Sequence, residues 1–195
     1  MAVTTIPIRR GATKTAERAG RRVHIAWAQL AAIAAIVLAL PFGREIDPDF
    51  WWHLRTGRLI LHSGFPSSDV YSFTVTGHTW VTHEWLSEII IYVMQSAFGY
   101  AGNALLFGAV TLGALALMYR LGREAGAGTK VLVALLLLST VNLAYFITVR
   151  PQLFTWLFFA AFIYILERHE RGEKARLWLL PPLMAIWVNM HLGWV

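Results

Sequence analysis

The chain has 195 residues, of which 57% are hydrophobic and only 14% charged, and it contains no cysteine. This composition excludes disulfides and cysteine-based zinc sites, and it is typical of a polytopic membrane protein. The net charge of +6 does not indicate nucleic-acid binding, because the basic residues cluster in short segments between apolar runs, as the orientation of membrane helices requires.

A basic leader precedes the first apolar run. Residues 1–24 carry six arginine or lysine residues and few apolar ones, so we predict that they are disordered and cytoplasmic. The leader is longer than that of a typical signal peptide, which favours an uncleaved anchor after it.

Five apolar runs are predicted to cross the membrane. A bilayer core of roughly 30 Å needs about 20 helical residues, and helices satisfy their own backbone hydrogen bonds in lipid. The fold class is therefore all-α, a polytopic transmembrane helix bundle over residues 25–195. The last run reaches residue 195 with no polar tail, so we expect the N-terminal part of a longer protein. The spans are about 25–42, 101–119, 131–149, 152–166 and 177–195.

Charge decides where the long segment 43–100 lies. Its one apolar stretch, 85–98, is short and either spans or lies flat. If it lies flat, 13 of the 17 basic residues are cytoplasmic, whereas only 7 are if it spans. The positive-inside rule therefore predicts that 43–100 is an external loop and 85–98 an interfacial helix, with Ser87, Glu88 and Gln95 facing polar surroundings.

The loop contains its own local signals. Asp47 is a good N-cap, Pro48 a good first helical residue and Gly64 a stop, which together predict a helix over about 48–62. Apolar and polar residues then alternate over 71–75, and Gly77-His78 follows, a pattern that predicts a β-hairpin.

Several ionisable groups are expected at one level of the membrane. Such groups cost free energy near hydrocarbon, so their presence there suggests a functional site. Asp47 and Asp49 follow the first span, Arg150 ends the third, and His191 lies in the outer half of the fifth. Nothing in the sequence forces these groups to be neighbours, but their common level predicts a functional site at the outer face.

Asp47 and Asp49 are the candidate catalytic residues, either as a general base or as ligands of a divalent cation such as Mg²⁺ or Mn²⁺. Their alternative role is to cap a helix and complement its dipole. Arg150 has forked donors that suit a phosphate, or it snorkels to lipid headgroups. The other candidate substrate-binding residues are Trp51, Trp52, His53, Arg55, Glu84 and His191.

These candidates also have structural alternatives. Trp51 and Trp52 fit an interfacial aromatic belt, and the loop histidines fit a solvated surface. Glu88 fits the polar face of the interfacial helix, and Asn189 is expected to join two helices by a hydrogen bond.

The loop residues resemble a known family. The stretch Ile46-Asp47-Pro48-Asp49-Phe50-Trp51-Trp52-His53-Leu54-Arg55-Thr56-Gly57 is similar to the first-external-loop motif of the GT-C superfamily of membrane glycosyltransferases. Further similar features are Trp80 to Leu86 with Phe98-Gly99, Arg150-Pro151-Gln152, and Trp187-Val188-Asn189-Met190-His191. The Lys-Pro-Pro-Leu element of some bacterial members is replaced by Thr82-His83-Glu84-Trp85.

The resemblance implies a glycosyltransferase in a bacterial inner membrane, with a cytoplasmic N-terminus. It would move a sugar from a polyprenyl-phosphate donor to an acceptor at the external face, and Asp47 would take the place of the catalytic or metal-binding aspartate. Its partners would be membrane lipid and the lipid-linked donor, and this chain alone would form only part of the enzyme. The alternative is a non-enzymatic membrane scaffold or transporter subunit, in which Asp47 is only a cap.

Overall fold

The computed structural model describes residues 9–43 and 46–194, and in the first helix it describes side chains from His24 onward. Six α-helices and three short 3₁₀ turns form within these residues, and no strand does, so the all-α prediction is confirmed for this part of the chain. The α-helices are α1 Arg9–Ala39, α2 Pro48–Ser63, α3 Trp85–Glu124, α4 Thr129–Leu143, α5 Gln152–Glu170 and α6 Leu180–Met190.

Three helical segments within the described residues are long and apolar enough to cross a membrane, which makes the chain an integral membrane protein. They are His24–Phe42, Trp85–Glu124 and Thr129–Phe146. The first and third overlap the predicted spans 25–42 and 131–149, and the second contains the predicted span 101–119 together with the stretch 85–98. Helices also occupy the fourth and fifth predicted spans. However, α5 ends in charged residues, and the apolar helix Leu177–Met190 would reach only about 21 Å at 1.5 Å per residue. Their crossing of the membrane stays a prediction.

Helix α1 begins at Arg9, well before the first predicted span. Residues 9–24, which we predicted to be disordered, are therefore helical, and the rest of the leader, residues 1–8, lies outside the described residues. Alanine, arginine, lysine and glutamate in this stretch favour helix. Extension of an existing helix also avoids the unfavourable nucleation step, so the apolar span supports the polar turns before it.

Helix α3 turns back on itself at Gly99, whose φ is 64° and ψ −166°. Beyond it, Asn103 Nδ2 donates hydrogen bonds to Ile91 O at 3.2 Å and to Gln95 Oε1 at 3.3 Å. Residues 12 positions apart would be about 18 Å apart in a straight helix, so the chain reverses sharply here. Glycine populates positive φ without a steric penalty. We call the two parts α3a, residues 85–98, and α3b, residues 100–124.

Helix α3a occupies the stretch predicted to be an interfacial helix, but two of its polar residues are buried and do not face solvent. Ser87 and Glu88 are buried, at 0% and 1% exposure. Ser87 Oγ donates a hydrogen bond to Met190 O at 2.6 Å, because α3a packs between α2 and α6. The predicted orientation of these two side chains is therefore wrong, and the membrane-surface location of α3a stays a prediction.

Two apolar clusters hold the helices together. Phe50 of α2 is fully buried and contacts Tyr100 edge to face, with ring centroids 5.5 Å apart. It belongs to the larger cluster, which also includes Phe107 of α3b and Leu153 of α5. The smaller cluster joins α1 to α4. The start of α2 is therefore fixed against α3 and α5, and this position determines where Asp47 and Asp49 lie.

The predicted β-hairpin does not form. The chain reverses between α2 and α3, but only one antiparallel bridge, Ser68 with Thr79, connects the two sides. Asp69 Oδ1 accepts hydrogen bonds from the backbone N–H groups of Tyr71 at 2.7 Å and Ser72 at 3.0 Å. This Asp turn takes the amides that a strand would need, which explains why the alternating pattern was misleading.

Candidate functional site

The N-terminus of α2 is built as its sequence predicts. Asp47 is the N-cap, and its Oδ1 accepts a hydrogen bond from Asp49 N at 3.0 Å. Pro48 is the first helical residue, and the helix ends before Gly64, whose φ is 87°. Asp47 therefore does cap the helix, but only one of its two carboxylate oxygens is used in this way.

The second oxygen of Asp47 faces Arg150, which lies in the turn just before α5. Arg150 Nε is 3.3 Å from Asp47 Oδ2, and Arg150 Nη2 also contacts Asp49 Oδ2. The structure thus brings together the two acids and the cation that the sequence could place only at a common level. One guanidinium between two carboxylates leaves a formal charge of −1 at a half-buried position.

A second group of ionisable side chains adjoins the first, and we call it the His–Glu cluster. It consists of His53, His83, Glu84, Glu88 and His191. Glu84 is at its centre: Oε2 is 3.7 Å from His53 Nδ1, and Oε1 is 3.6 Å from both His83 Nε2 and His191 Nε2. His53 Nδ1 is also 3.5 Å from Glu88 Oε1. Three histidines therefore surround one buried carboxylate.

Burial controls protonation in this cluster. It lowers the pKa of His53 to about 4, although the nearby carboxylates of Glu84 and Asp47 oppose the shift. Burial also raises the pKa of Glu84, although the neighbouring His53 and His83 oppose the shift. His53 is thus neutral at pH 7, and its Nδ1 forms no hydrogen bond with the residues that the structure describes. The Asp47–Asp49–Arg150 group and the His–Glu cluster lie within electrostatic reach of each other.

Hydrogen bonds fix the ring of His191. Its Nδ1 accepts a hydrogen bond from Gly193 N at 3.0 Å and lies 2.9 Å from Thr155 Oγ1. Trp187 Nε1 donates to the same Thr155 hydroxyl at 3.0 Å. Because Nδ1 is an acceptor, the neutral ring carries its proton on Nε2, which faces Glu84. The Nε2–H group of His191, just after α6, is therefore directed toward Glu84 at 3.6 Å.

Not all predicted substrate-binding residues join the site. Trp52 packs against the ring of His53, with centroids 3.7 Å apart, and is half-buried. Trp51 is 56% exposed and contacts Phe50 at its edge. Arg55 is exposed and forms no ion pair with the residues that the structure describes. Trp52, His53, Glu84, Arg150 and His191 are thus brought together, whereas Trp51 and Arg55 point elsewhere.

Helix α2 crosses α3a at Gly57, directly beside the His–Glu cluster. A Cβ atom at Gly57 would lie 2.6 Å from the carbonyl carbon of Glu88 and 2.9 Å from Tyr92 Cβ. Such a close approach is possible only for glycine, and it carries His53 to Glu84 and Glu88. The close packing at Gly57 therefore fixes the positions of the α2 and α3a side chains of the site relative to each other.

The burial of His53 and Glu88 differs from the expectation for these two residues. We treated the loop histidines as surface residues by default, yet His53 is only 3% exposed. A signal was available: Phe50, His53, Gly57 and Ile60 recur at the spacing of one helix face, and all four are buried. The prediction for Asn189 is fulfilled, since its Oδ1 accepts a hydrogen bond from Trp85 Nε1 at 2.6 Å and so joins α6 to the start of α3.

A divalent cation at Asp47 and Asp49 stays a prediction. Within residues 9–43 and 46–194, no group of three or more histidine, aspartate or glutamate side chains is arranged to hold a metal ion. In this arrangement the two carboxylates face Arg150, which supplies positive charge at the place where the cation was expected.

Comparison of the chain with family models, with curated proteins and with solved structures gave no match in any of the three. The resemblance to GT-C glycosyltransferases therefore depends on the loop residues themselves and on the site they form.

Proposed function

We propose that this chain is the N-terminal membrane part of a glycosyltransferase that moves a sugar from a polyprenyl phosphate to an acceptor at the external face of a bacterial inner membrane. The observation that carries the proposal is the meeting of Asp47, Asp49 and Arg150 at the ends of membrane helices. Ionisable groups in such a position usually mark a substrate site.

Each member of the site has a role in this reaction. The acceptor hydroxyl attacks the anomeric carbon, the bond from that carbon to the phosphate oxygen breaks, and the polyprenyl phosphate leaves. Asp47 takes the proton of the hydroxyl, and Arg150 stabilises the negative charge on the departing phosphate. The donors of Arg150 that are not directed at the carboxylates supply the contacts to phosphate.

The His–Glu cluster adjoins Asp47 and adds buried ionisable groups to the electrostatic environment of the reaction. His53 is neutral and buried, and it lies within reach of both Glu84 and Glu88. Where a divalent cation is also used, Asp47 and Asp49 are the residues that hold it.

The orientation of the site is part of the proposal. An external location follows from the excess of basic residues on the opposite side of the membrane. It also explains a lipid-linked donor, because soluble nucleotide sugars are not available outside the cell. The competing function is a scaffold or transporter subunit, for which the cap and the ion pair of Asp47 would be purely structural.

The substitution Asp47→Asn in the full-length protein separates these functions. Asparagine keeps the capping hydrogen bond to Asp49 N but removes the charge. We expect transfer from radiolabelled polyprenyl-phosphate sugars to fall by about 100-fold or more, the usual contribution of a general base, with the melting temperature little changed.

Asp69→Asn is the matched control. Asp69 also caps a turn in the same loop and accepts backbone hydrogen bonds, yet it has no contact with Arg150. Its transfer rate should match that of the wild type. Normal transfer by Asp47→Asn, or no transfer by the wild-type protein from any donor in a panel of hexose and pentose polyprenyl phosphates, would favour the scaffold.

A further inference from the structure

A cleft of about 970 Å³ opens between α1, the end of α3b and the start of α4. Its walls are apolar and largely open to the surroundings: Ile25 is 50%, Trp27 65% and Leu137 45% exposed. Two basic residues, Arg123 and Lys130, lie at its edge. An apolar cleft with basic residues at its edge is suited to bind an amphipathic ligand rather than a water-soluble one.

The cleft lies at the opposite end of the membrane helices from the candidate site. Tyr100 Oη donates a hydrogen bond to Pro41 O at 3.0 Å, which ties the start of α3b to the end of α1 near Phe50. Arg123 is 23 residues farther along α3b, or about 35 Å at 1.5 Å per residue. This length slightly exceeds the roughly 30 Å of a bilayer core, so the cations reach the other headgroup layer.

The cations are held toward the cleft and are not neutralised there. Arg123 Nη1 donates hydrogen bonds to Thr129 Oγ1 at 2.9 Å and to Ala127 O at 3.4 Å, which fixes the guanidinium in the α3–α4 turn. Neighbouring Glu124 instead accepts a hydrogen bond from Tyr164 of α5. The described residues that line the cleft include no acid, and Lys130 forms no ion pair with any part of the chain that the structure describes.

We propose that this cleft binds one anionic phospholipid, with its phosphate against Arg123 and Lys130 and its acyl chains along α1 and α4. Basic pockets between membrane helices bind anionic headgroups in this way, and the ring of Trp27 is suited to the interface between the headgroup and the chains. The ligand and the location both differ from those of the sugar-transfer site, so the proposal does not depend on the function of that site.

Fluorescence quenching measures occupancy directly. The purified full-length protein is placed in nanodiscs of unlabelled phosphatidylcholine that contain a small fraction of either phosphatidylglycerol or phosphatidylcholine with the same brominated chains, so that the brominated lipid competes for the cleft. The contribution of Trp27 is obtained by subtracting the signal of Trp27→Phe. We expect stronger quenching of Trp27 by brominated phosphatidylglycerol than by brominated phosphatidylcholine, because only the first has a net negative headgroup.

The double variant Arg123→Gln/Lys130→Gln tests the cationic rim. Each cation near an anionic lipid is worth about fivefold in affinity, so the preference for phosphatidylglycerol should fall roughly 25-fold. Arg58→Gln/Arg171→Gln is the matched control, because it also removes two positive charges, but away from the cleft. Arg58 is exposed, and Arg171 forms an ion pair with Glu167. Ala134→Phe fills the apolar wall without a change in charge and should reduce quenching by both lipids.

Several outcomes would overturn the proposal. These are equal quenching by the two headgroups, an equal loss of preference in the control pair, or stronger quenching by a brominated polyprenyl phosphate than by phosphatidylglycerol. If the double variant does not fold, as judged by gel filtration, Lys130→Gln alone decides the question through an expected fivefold loss.

Discussion

The crossing of α2 and α3a at Gly57 makes a sharp prediction for Gly57→Ala. The new Cβ would lie 2.6 Å from the Glu88 carbonyl carbon, whereas ordinary van der Waals contact begins at about 3.4 Å. The carbonyl oxygen of Glu88 would lie closer still, so the two helices would have to separate by more than about 1 Å. The obstacle is backbone and the base of a side chain, neither of which can rotate away, so the strain should reach the upper end of the 1–3 kcal/mol typical of overpacking.

A gain in helix propensity opposes this strain. Alanine in place of glycine favours a helix by about 1 kcal/mol, which leaves a net destabilisation of about 2 kcal/mol. For a chain of this size that corresponds to a decrease of about 4–8 °C in melting temperature, measured by intrinsic fluorescence in detergent. The proposed sugar transfer should fall as well, because the shift moves His53 away from Glu84.

Gly113→Ala supplies the comparison. Gly113 also lies within a helix, but the nearest atom to its new Cβ would be Leu157 Cδ1 at 3.1 Å, the mobile end of a side chain. Its melting temperature should stay the same or rise slightly. A Gly57→Ala protein as stable as the Gly113→Ala protein would refute the close crossing of α2 and α3a.

Three further measurements probe the surroundings of the site. The lowered pKa of His53 means that below pH 6.5 the unfolded state binds a proton that the folded state does not. The free energy of unfolding should therefore decrease by up to about 3 kcal/mol between pH 6.5 and 4, with a matching decrease in melting temperature, and His53→Asn should flatten this slope. A wild-type slope no steeper than that of the variant would contradict the buried neutral imidazole. Phe50→Ala should lose about 3–5 kcal/mol, whereas Trp51→Ala next to it, already 56% exposed, should lose far less; equal losses would place the buried face of α2 elsewhere. Ser87→Ala leaves the carbonyl of Met190 without its donor and should cost about 1–2 kcal/mol in thermal unfolding, and an unchanged melting temperature would mean that α6 does not pack against α3a as described.

Local features of the fold are the ones that the sequence predicted well. The structure has the cap at Asp47, the first helical residue at Pro48 and the stop at Gly64. Each of these features depends only on residues within about one helical turn of it. The membrane helices were also predictable, because a long apolar run in a chain this hydrophobic has few alternatives.

Features that depend on packing were not predictable in this way. Whether Glu88 faces outward or inward depends on which side of α3a is covered by α2, and only the close approach at Gly57 decides it. The pairing of Asp47 with Arg150 likewise results from the burial of Phe50 against α3b and α5. The same is true of the reversal at Gly99, since a glycine in an apolar run is compatible with either a straight or a broken helix.

The long separation of the paired charges along the chain has a consequence for biosynthesis. Asp49 and Arg150 are 101 positions apart, and a ribosome adds about 5–20 residues per second. The carboxylate of Asp49 is therefore synthesised about 5–20 s before the guanidinium of Arg150. Nascent chains released during this interval carry an unneutralised acidic pair beside a membrane anchor.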